Sequence, residues 1–137
     1  MANKILTYVD ASVLIYAAVK PTPATFTRRL RALHVLADPD REFAATEYLR
    51  LEVMPIAQFF KKKKEIVFYE TFLGKISIWI DPINIISSAY ALASTHGLGA
   101  IDALHLAAAP NVGAEFVSAE KPSKPIYRAY SQISSIY

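Results

Sequence analysis

The sequence predicts an α/β fold of three layers, with helices covering both faces of a mostly parallel central sheet. Two observations predict it. Short β-prone apolar runs at residues 5–9, 42–46, 76–80 and 115–118 alternate with segments of helical periodicity, most of them about ten residues long or more. Strands separated by such helices are joined by right-handed crossovers, which makes neighbouring strands parallel and buries both sheet faces. In addition, 137 residues with 53% hydrophobic and 20% charged side chains suit one packed core, so the expectation is a single domain over residues 1–137.

The elements follow in order. Ile5-Leu6-Thr7-Tyr8-Val9 is a strand that ends in Asp10, and Ala11-Ser12-Val13-Leu14-Ile15-Tyr16 opens a helix. Pro21 and Pro23 break the chain. Phe26, Leu30, Leu33 and Leu36 then recur at helical spacing, with Arg28, Arg29 and Arg31 opposite, which predicts an amphipathic helix with a basic face. Asp38-Pro39-Asp40 closes it. Residues 42–46 are a second strand leading into a helix over 47–60, kinked at Pro55, with Lys61 to Lys64 at the end where cations complement the helix dipole. A helix over 65–75 precedes a buried strand at 76–80, which Asp81-Pro82 ends. Ile85, Ile86, Ala89, Leu92 and Ala93 mark the next helix, stopped at His96-Gly97-Leu98-Gly99. A helix over 100–109, a strand over 115–118 and a last strand within 133–137 complete the chain.

Composition excludes several function classes. The apolar content rules out a disordered chain. No apolar stretch approaches the roughly 18 to 20 residues needed to span a bilayer, and Met1 to Val9 has no signal-peptide pattern, so a cytoplasmic protein without a membrane partner is expected. The absence of cysteine removes disulfides, thiolate metal sites and cysteine nucleophiles together. There is no Gly-x-Gly-x-x-Gly, Walker loop, Gly-x-Ser-x-Gly or His-Glu-x-x-His, which sets aside nucleotide-binding enzymes, serine hydrolases and zincins. The net charge of +3 is unevenly spread: residues 20–64 hold ten Lys/Arg against five Asp/Glu, the remainder five against seven. A basic surface beside an acidic pocket suits a metal-dependent enzyme acting on a polyanion, and it equally suits an ordinary solvated surface.

In a parallel sheet, ligands sit beyond the carboxyl ends of the strands. The polar residues placed there are Asp10, residues 46–52 and residues 118–120, with Asp102 on the first turn of a later helix. Asp10 follows a strand and precedes a helix, so it reads as an N-cap as readily as a functional acid. Asp102 lies in a helix with almost no polar face, which predicts a buried carboxylate in need of compensation. Glu47 and Glu52 face differently: Leu49, Val53 and Ile56 place Glu52 beside the core, whereas Glu47 is a favourable first-turn acid turned to solvent. Glu120 reads from its surroundings as a loop charge. His105, three residues after Asp102, reads as a packed histidine supporting the site rather than a ligand.

Taken together, these residues resemble the PIN-domain ribonucleases, especially the VapC-type toxins of toxin–antitoxin pairs, over nearly the whole length. Val9-Asp10-Ala11-Ser12-Val13-Leu14 is similar to the family's first motif, Thr46 with Glu52 six residues later to its second, and Gly97-Leu98-Gly99-Ala100-Ile101-Asp102-Ala103-Leu104-His105 to its third. Phe116-Val117-Ser118-Ala119-Glu120-Lys121-Pro122 resembles the fourth, with glutamate where the common pattern has aspartate. The resemblance implies a PIN-like fold and a metal-dependent endoribonuclease, probed against the alternative of a non-catalytic PIN-like RNA- or protein-binding module. It implies that Asp10, Glu52, Asp102 and Glu120 are catalytic, metal-binding acids for Mg²⁺ or Mn²⁺, and that Ser12, Thr46 and Ser118 orient them. It further implies an RNA substrate, a small antitoxin partner and a homodimer, for which Leu14, Ile15 and Tyr16 would supply apolar surface.

Overall fold

The fold is described from a computed structural model covering residues 3–137; Met1 and Ala2, the start of the segment read for a signal peptide, lie outside it. Five strands, β1 (Ile5–Val9), β2 (Arg41–Ala45), β3 (Ile78–Trp79), β4 (Glu115–Ser118) and β5 (Ile133–Ser135), form one sheet in the order β3-β2-β1-β4-β5. All of its pairings are parallel. Six helices connect or cover them: α1 (Ala11–Ala18), α2 (Phe26–Leu36), α3 (Glu47–Phe59), α4 (Lys63–Leu73), α5 (Ile86–His96) and α6 (Ala100–Asn111).

The period of two along each strand divides the core. Tyr8, Ala44 and Phe116 stand in register across β2, β1 and β4 and pack with α5 and α6. Val9, Ala45 and Val117 point the other way, into a cluster built from α1 to α4. Both faces are therefore covered, as a parallel sheet requires. Local signals set the boundaries. Asp10 caps α1 by accepting from the Ser12 amide at 3.0 Å, and α5 stops where Gly97 adopts φ 69°. Among the described residues no helix is long and apolar enough to cross a membrane.

Four local expectations need correction. The run at 76–80 is not a buried strand: the strand is Ile78 and Trp79, at the sheet edge, and both are exposed, whereas Ile80 after them is buried. Lys61 to Lys64 do not simply end α3; Lys61 makes a left-handed turn (φ 53°), and Lys63 and Lys64 open α4. The connection is too short for a gap between the two helices, so half of the lysine run sits at the helix end that the dipole disfavours for cations. Helix α3 continues through Pro55, and its buried side is Leu49, Val53, Met54 and Ala57. Ile56 lies about a quarter-turn from the centre of that side and is 63% exposed. Leu14, assigned to a partner surface, is fully buried beneath α1, which leaves Ile15 and half-buried Tyr16 outward.

At the amino end of the strands, Arg41 joins three elements. Its Nη1 donates to the Thr7 hydroxyl at 2.8 Å and to Glu115 at 3.0 Å, while its Nε lies 3.3 Å from Asp38. Because this edge is opposite the strands' carboxyl ends, the clasp is structural. Arg41→Met leaves Glu115 and Asp38 without their cation and is expected to lower stability by about 1–3 kcal/mol. Urea unfolding would read this as a lower midpoint at unchanged slope.

Candidate functional site

The carboxyl ends of β1 and β4 and the amino ends of α3 and α6 meet on one edge of the sheet, and the parallel topology is what brings them there. Asp10 ends β1, and its amide donates to the Val117 carbonyl of β4 at 3.1 Å. Its Oδ1 accepts from the Ser12 amide and from the Ser12 hydroxyl, so capping and site placement are one arrangement. The Ser12 oxygen in turn accepts from the Ala119 amide at 3.1 Å, stitching α1 to the segment after β4. Asp10 is buried, and burial pushes its carboxyl above the usual carboxylate range; hydrogen bonds from Ser12 and Ser118 oppose that shift in part.

Thr46 precedes α3 and is fully buried, yet its side chain makes no cap; its hydroxyl meets the Tyr8 hydroxyl at 2.9 Å. Tyr8 also meets His105 Nδ1 at 2.7 Å, and His105 Nε2 is hydrogen-bonded to Glu52. Glu52 is thus turned toward the site by His105 and not by the apolar face that was expected to hold it. Glu47 points to solvent in a 3.2 Å ion pair with Arg50, in line with the sequence reading.

Asp102 departs from expectation: it is exposed. The polyalanine side of α6 is buried from Ala103 onward, but the first turn projects past the covering layer, so this carboxylate stays solvated. Asp102 and Glu120 line one cavity of about 150 Å³ together with Lys124, Leu98 and Ile126. Glu120 is not a free loop charge. Its amide donates to the Ser118 hydroxyl at 3.1 Å, and its carbonyl accepts from Tyr127 at 2.5 Å and Ser135 at 2.9 Å. Burial raises the Tyr127 phenol, and the nearby charges of Asp10 and Glu120 add to the shift.

Tyr8 and Tyr127 were missed by sequence reasoning. Tyr8 carried a faint signal, a phenol hydroxyl two positions before Asp10 in a mostly apolar strand. Tyr127 carried none, because the short 3-10 helix over Pro125–Arg128 that delivers it has no periodicity to read. The basic stretch also looks different in three dimensions. Arg28 stacks on the Tyr137 ring at 3.9 Å, Arg29 and Arg31 donate to the carbonyls of Val19 and Tyr137, and Arg41 and Arg50 are ion-paired. The exposed cations of that stretch are the lysines at 20 and 61–64 together with Arg31 and Arg50, and these two arginines are engaged within the chain.

Among the described residues, no three His, Asp or Glu side chains converge as they stand into a ligand set for an ion. The donors on this edge are nonetheless all oxygens, from four carboxylates and neighbouring hydroxyls, which is the chemistry of a hard divalent cation. A buried acid such as Asp10 is stabilised by such a cation and destabilises the fold without it. Asparagine caps helices as well as aspartate does. Asp10→Asn is therefore expected to raise Tm by a few degrees at neutral pH in the presence of chelator. Folded wild-type protein binds the Asp10 proton more tightly than unfolded protein, so its stability falls as pH rises from the ordinary carboxylate range through the raised value. Thermal unfolding against pH should show this loss in the wild type and a smaller one in the variant.

No curated protein sequence matches the chain. Among solved structures it is similar to a toxin–antitoxin complex from Klebsiella pneumoniae, at 19% identity and a TM-score of 0.67, covering 96% of this chain and 98% of that one. It is also similar to VapBC2 from Rickettsia felis bound to a DNA fragment from their promoter (15% identity, TM-score 0.65, 96% and 98% covered). FitAcB from Neisseria gonorrhoeae is a third (18%, 0.63, 95% and 97%). At these identities the likeness concerns the fold. The sequence itself matches the PIN domain family over residues 7–122, which includes every acid described above, and the chain belongs to the PIN domain family.

Proposed function

We propose that this protein is a metal-dependent endoribonuclease that hydrolyses RNA phosphodiester bonds as the toxin of a type II toxin–antitoxin pair. The observation that carries the reading is a PIN-domain chain whose parallel sheet sets Asp10, Glu52, Asp102 and Glu120 along its carboxyl edge. All four would hold Mg²⁺ or Mn²⁺. Such an ion, when bound, lowers the pKa of its water and stabilises charge on the scissile phosphate.

The chain's own residues prepare that edge. Ser12 fixes the rotamer of Asp10 and ties it to β4, and Thr46 supports Glu52 indirectly through Tyr8 and His105. Ser118, Tyr127 and Ser135 clamp the Glu120 backbone, so the extra methylene of glutamate is not absorbed by retreat of the loop. Its carboxylate extends toward the Asp102 cavity, and Lys124 beside it offers a cation to a phosphate.

Unpartnered apolar side chains support protein partners. Ile15, Val19, Phe26 and Leu30 of α1, its end and α2, and Leu51, Ile56, Phe59 and Phe60 of α3 and its end, are exposed. Two such surfaces suit a homodimer and a small antitoxin, of the kind present in the toxin–antitoxin complexes that share the fold. As an enzyme acting on intracellular RNA it would work in the cytoplasm, and the reading assigns the activity to a single domain over residues 1–137.

Purified protein with Mn²⁺ should cleave structured RNA, and Asp10→Asn or Asp102→Asn should abolish cleavage while circular dichroism is unchanged; full activity in both would overturn the assignment of these acids, and a wild-type protein that binds RNA without cleaving it would establish the non-catalytic binding module instead. Glu52→Gln should likewise abolish cleavage, whereas Glu47→Gln should leave the rate intact and change stability by about 0.3–1 kcal/mol through the first turn of α3. An inactive Glu47→Gln would reverse the assignment. Light scattering at micromolar concentration is expected to give the mass of two chains, and a monomer would remove the dimer from this reading.

A further inference from the structure

We propose that His105 is a positioning residue, the last link of a buried tether Thr46–Tyr8–His105–Glu52 that fixes the orientation of the Glu52 carboxylate. The inference rests on the nuclease reading, since it concerns how one of the proposed ligands is held. Glu52 is about one-third exposed and lies off the buried side of α3, so packing does not decide where its carboxylate points. Its hydrogen-bond partner among the described residues is His105. The other three members of the tether are fully enclosed: His105 is 1% exposed, and Tyr8 and Thr46 are 0% exposed.

With His105 neutral, the hydrogen bonds run in one direction. A carboxylate only accepts, so His105 Nε2 donates to Glu52. A neutral imidazole then presents Nδ1 as an acceptor, and the Tyr8 hydroxyl 2.7 Å away fills it. The Tyr8 oxygen is left to accept from the Thr46 hydroxyl at 2.9 Å. This order assigns the tautomer. Burial pushes the Tyr8 phenol well above its ordinary value, so it stays a donor. The Tyr8 ring is stacked on Phe116 of β4, with centroids 5.9 Å apart and planes 10° from parallel. The tether therefore anchors α3 through α6 and β1 to the centre of the sheet, and it joins three of the four segments that supply acids. A ligand group held by an outer hydrogen-bonded partner loses affinity for its ion when that partner is removed, typically 10–100-fold.

A histidine that served only to fill the core would be replaced equally badly by any smaller polar residue. Two substitutions separate the cases. His105→Gln places an amide nitrogen near the position of Nε2 and keeps the donor to Glu52; His105→Asn places its amide near Nδ1 and keeps only the contact to Tyr8. Titration calorimetry with Mn²⁺ is expected to give affinity within about threefold of wild type for the glutamine variant and a loss of about 10–100-fold for the asparagine variant, with similar losses in Tm. Equal Mn²⁺ affinities in the two variants would overturn the proposal. Should neither variant fold, Tyr8→Phe keeps the stacked ring and removes only the hydroxyl. It is expected to weaken Mn²⁺ binding about three- to tenfold, and unchanged affinity there overturns the tether. Wild-type protein that binds no Mn²⁺ and cleaves no RNA would instead overturn the nuclease reading, and the tether with it.

Discussion

Strand β1 is hydrogen-bonded in parallel to β2 on one side and to β4 on the other, and the site depends on the direction the three share. Parallel pairing brings the carboxyl ends of the strands to one edge. It also obliges the chain to return through helices, whose amino ends then open beside the same edge. Acids far apart along the chain, such as Asp10 and Glu120, come to one edge without any specific long-range attraction between them. Such attraction could not have assembled them, because carboxylates repel one another.

The same sheet supplies the rigidity that the acids need. Alternation along β1 sends Tyr8 into the core beneath α5 and α6 and Val9 into the core beneath α1 to α4, so Asp10 follows a strand gripped from both faces. Its amide is bonded to β4 and its carboxylate to Ser12. The acid is held where burial disfavours its charge. This is the tension expected of the carboxylate proposed as a metal ligand: the fold is stable enough elsewhere to carry one group that would be more comfortable neutral. The Arg41 clasp at the opposite edge shows the contrast, with charges that are paired within the chain and have no remaining chemistry to offer.

The polar residues around the acids fall into two sets with different physical roles. Ser12 and Ser118 bind carboxylate or backbone two residues away, and Ser135 reaches the Glu120 carbonyl, so that the three set the loops after β1 and β4. Tyr8, Thr46 and His105 form a chain through the interior, where each hydrogen bond is shielded from water and each missing partner would leave a buried polar atom exposed to that cost. This second set makes the orientation of Glu52 a property of the core.

Much of the fold was legible in the sequence. Periodicities of two and 3.6 are local consequences of how side chains leave the backbone, so the order of strands and helices, the parallel sheet and the carboxyl-edge location of Asp10, Glu52 and Glu120 followed from residue spacing alone. Local signals such as the Asp10 cap and the Gly97 stop were legible for the same reason. What only the tertiary structure decided was exposure and partnership. The apolar run of α6 gives no sign that its first turn overhangs the covering layer and leaves Asp102 in water. The run at 76–80 does not reveal that β3 is an edge. Nothing near Glu52 in the chain announces that His105, fifty-three residues later, holds it, or that Tyr127 reaches back to Glu120. Exposure depends on which elements end beside one another, and a hydrogen bond depends on tenths of an ångström between distant segments; neither quantity is contained in any local window of sequence.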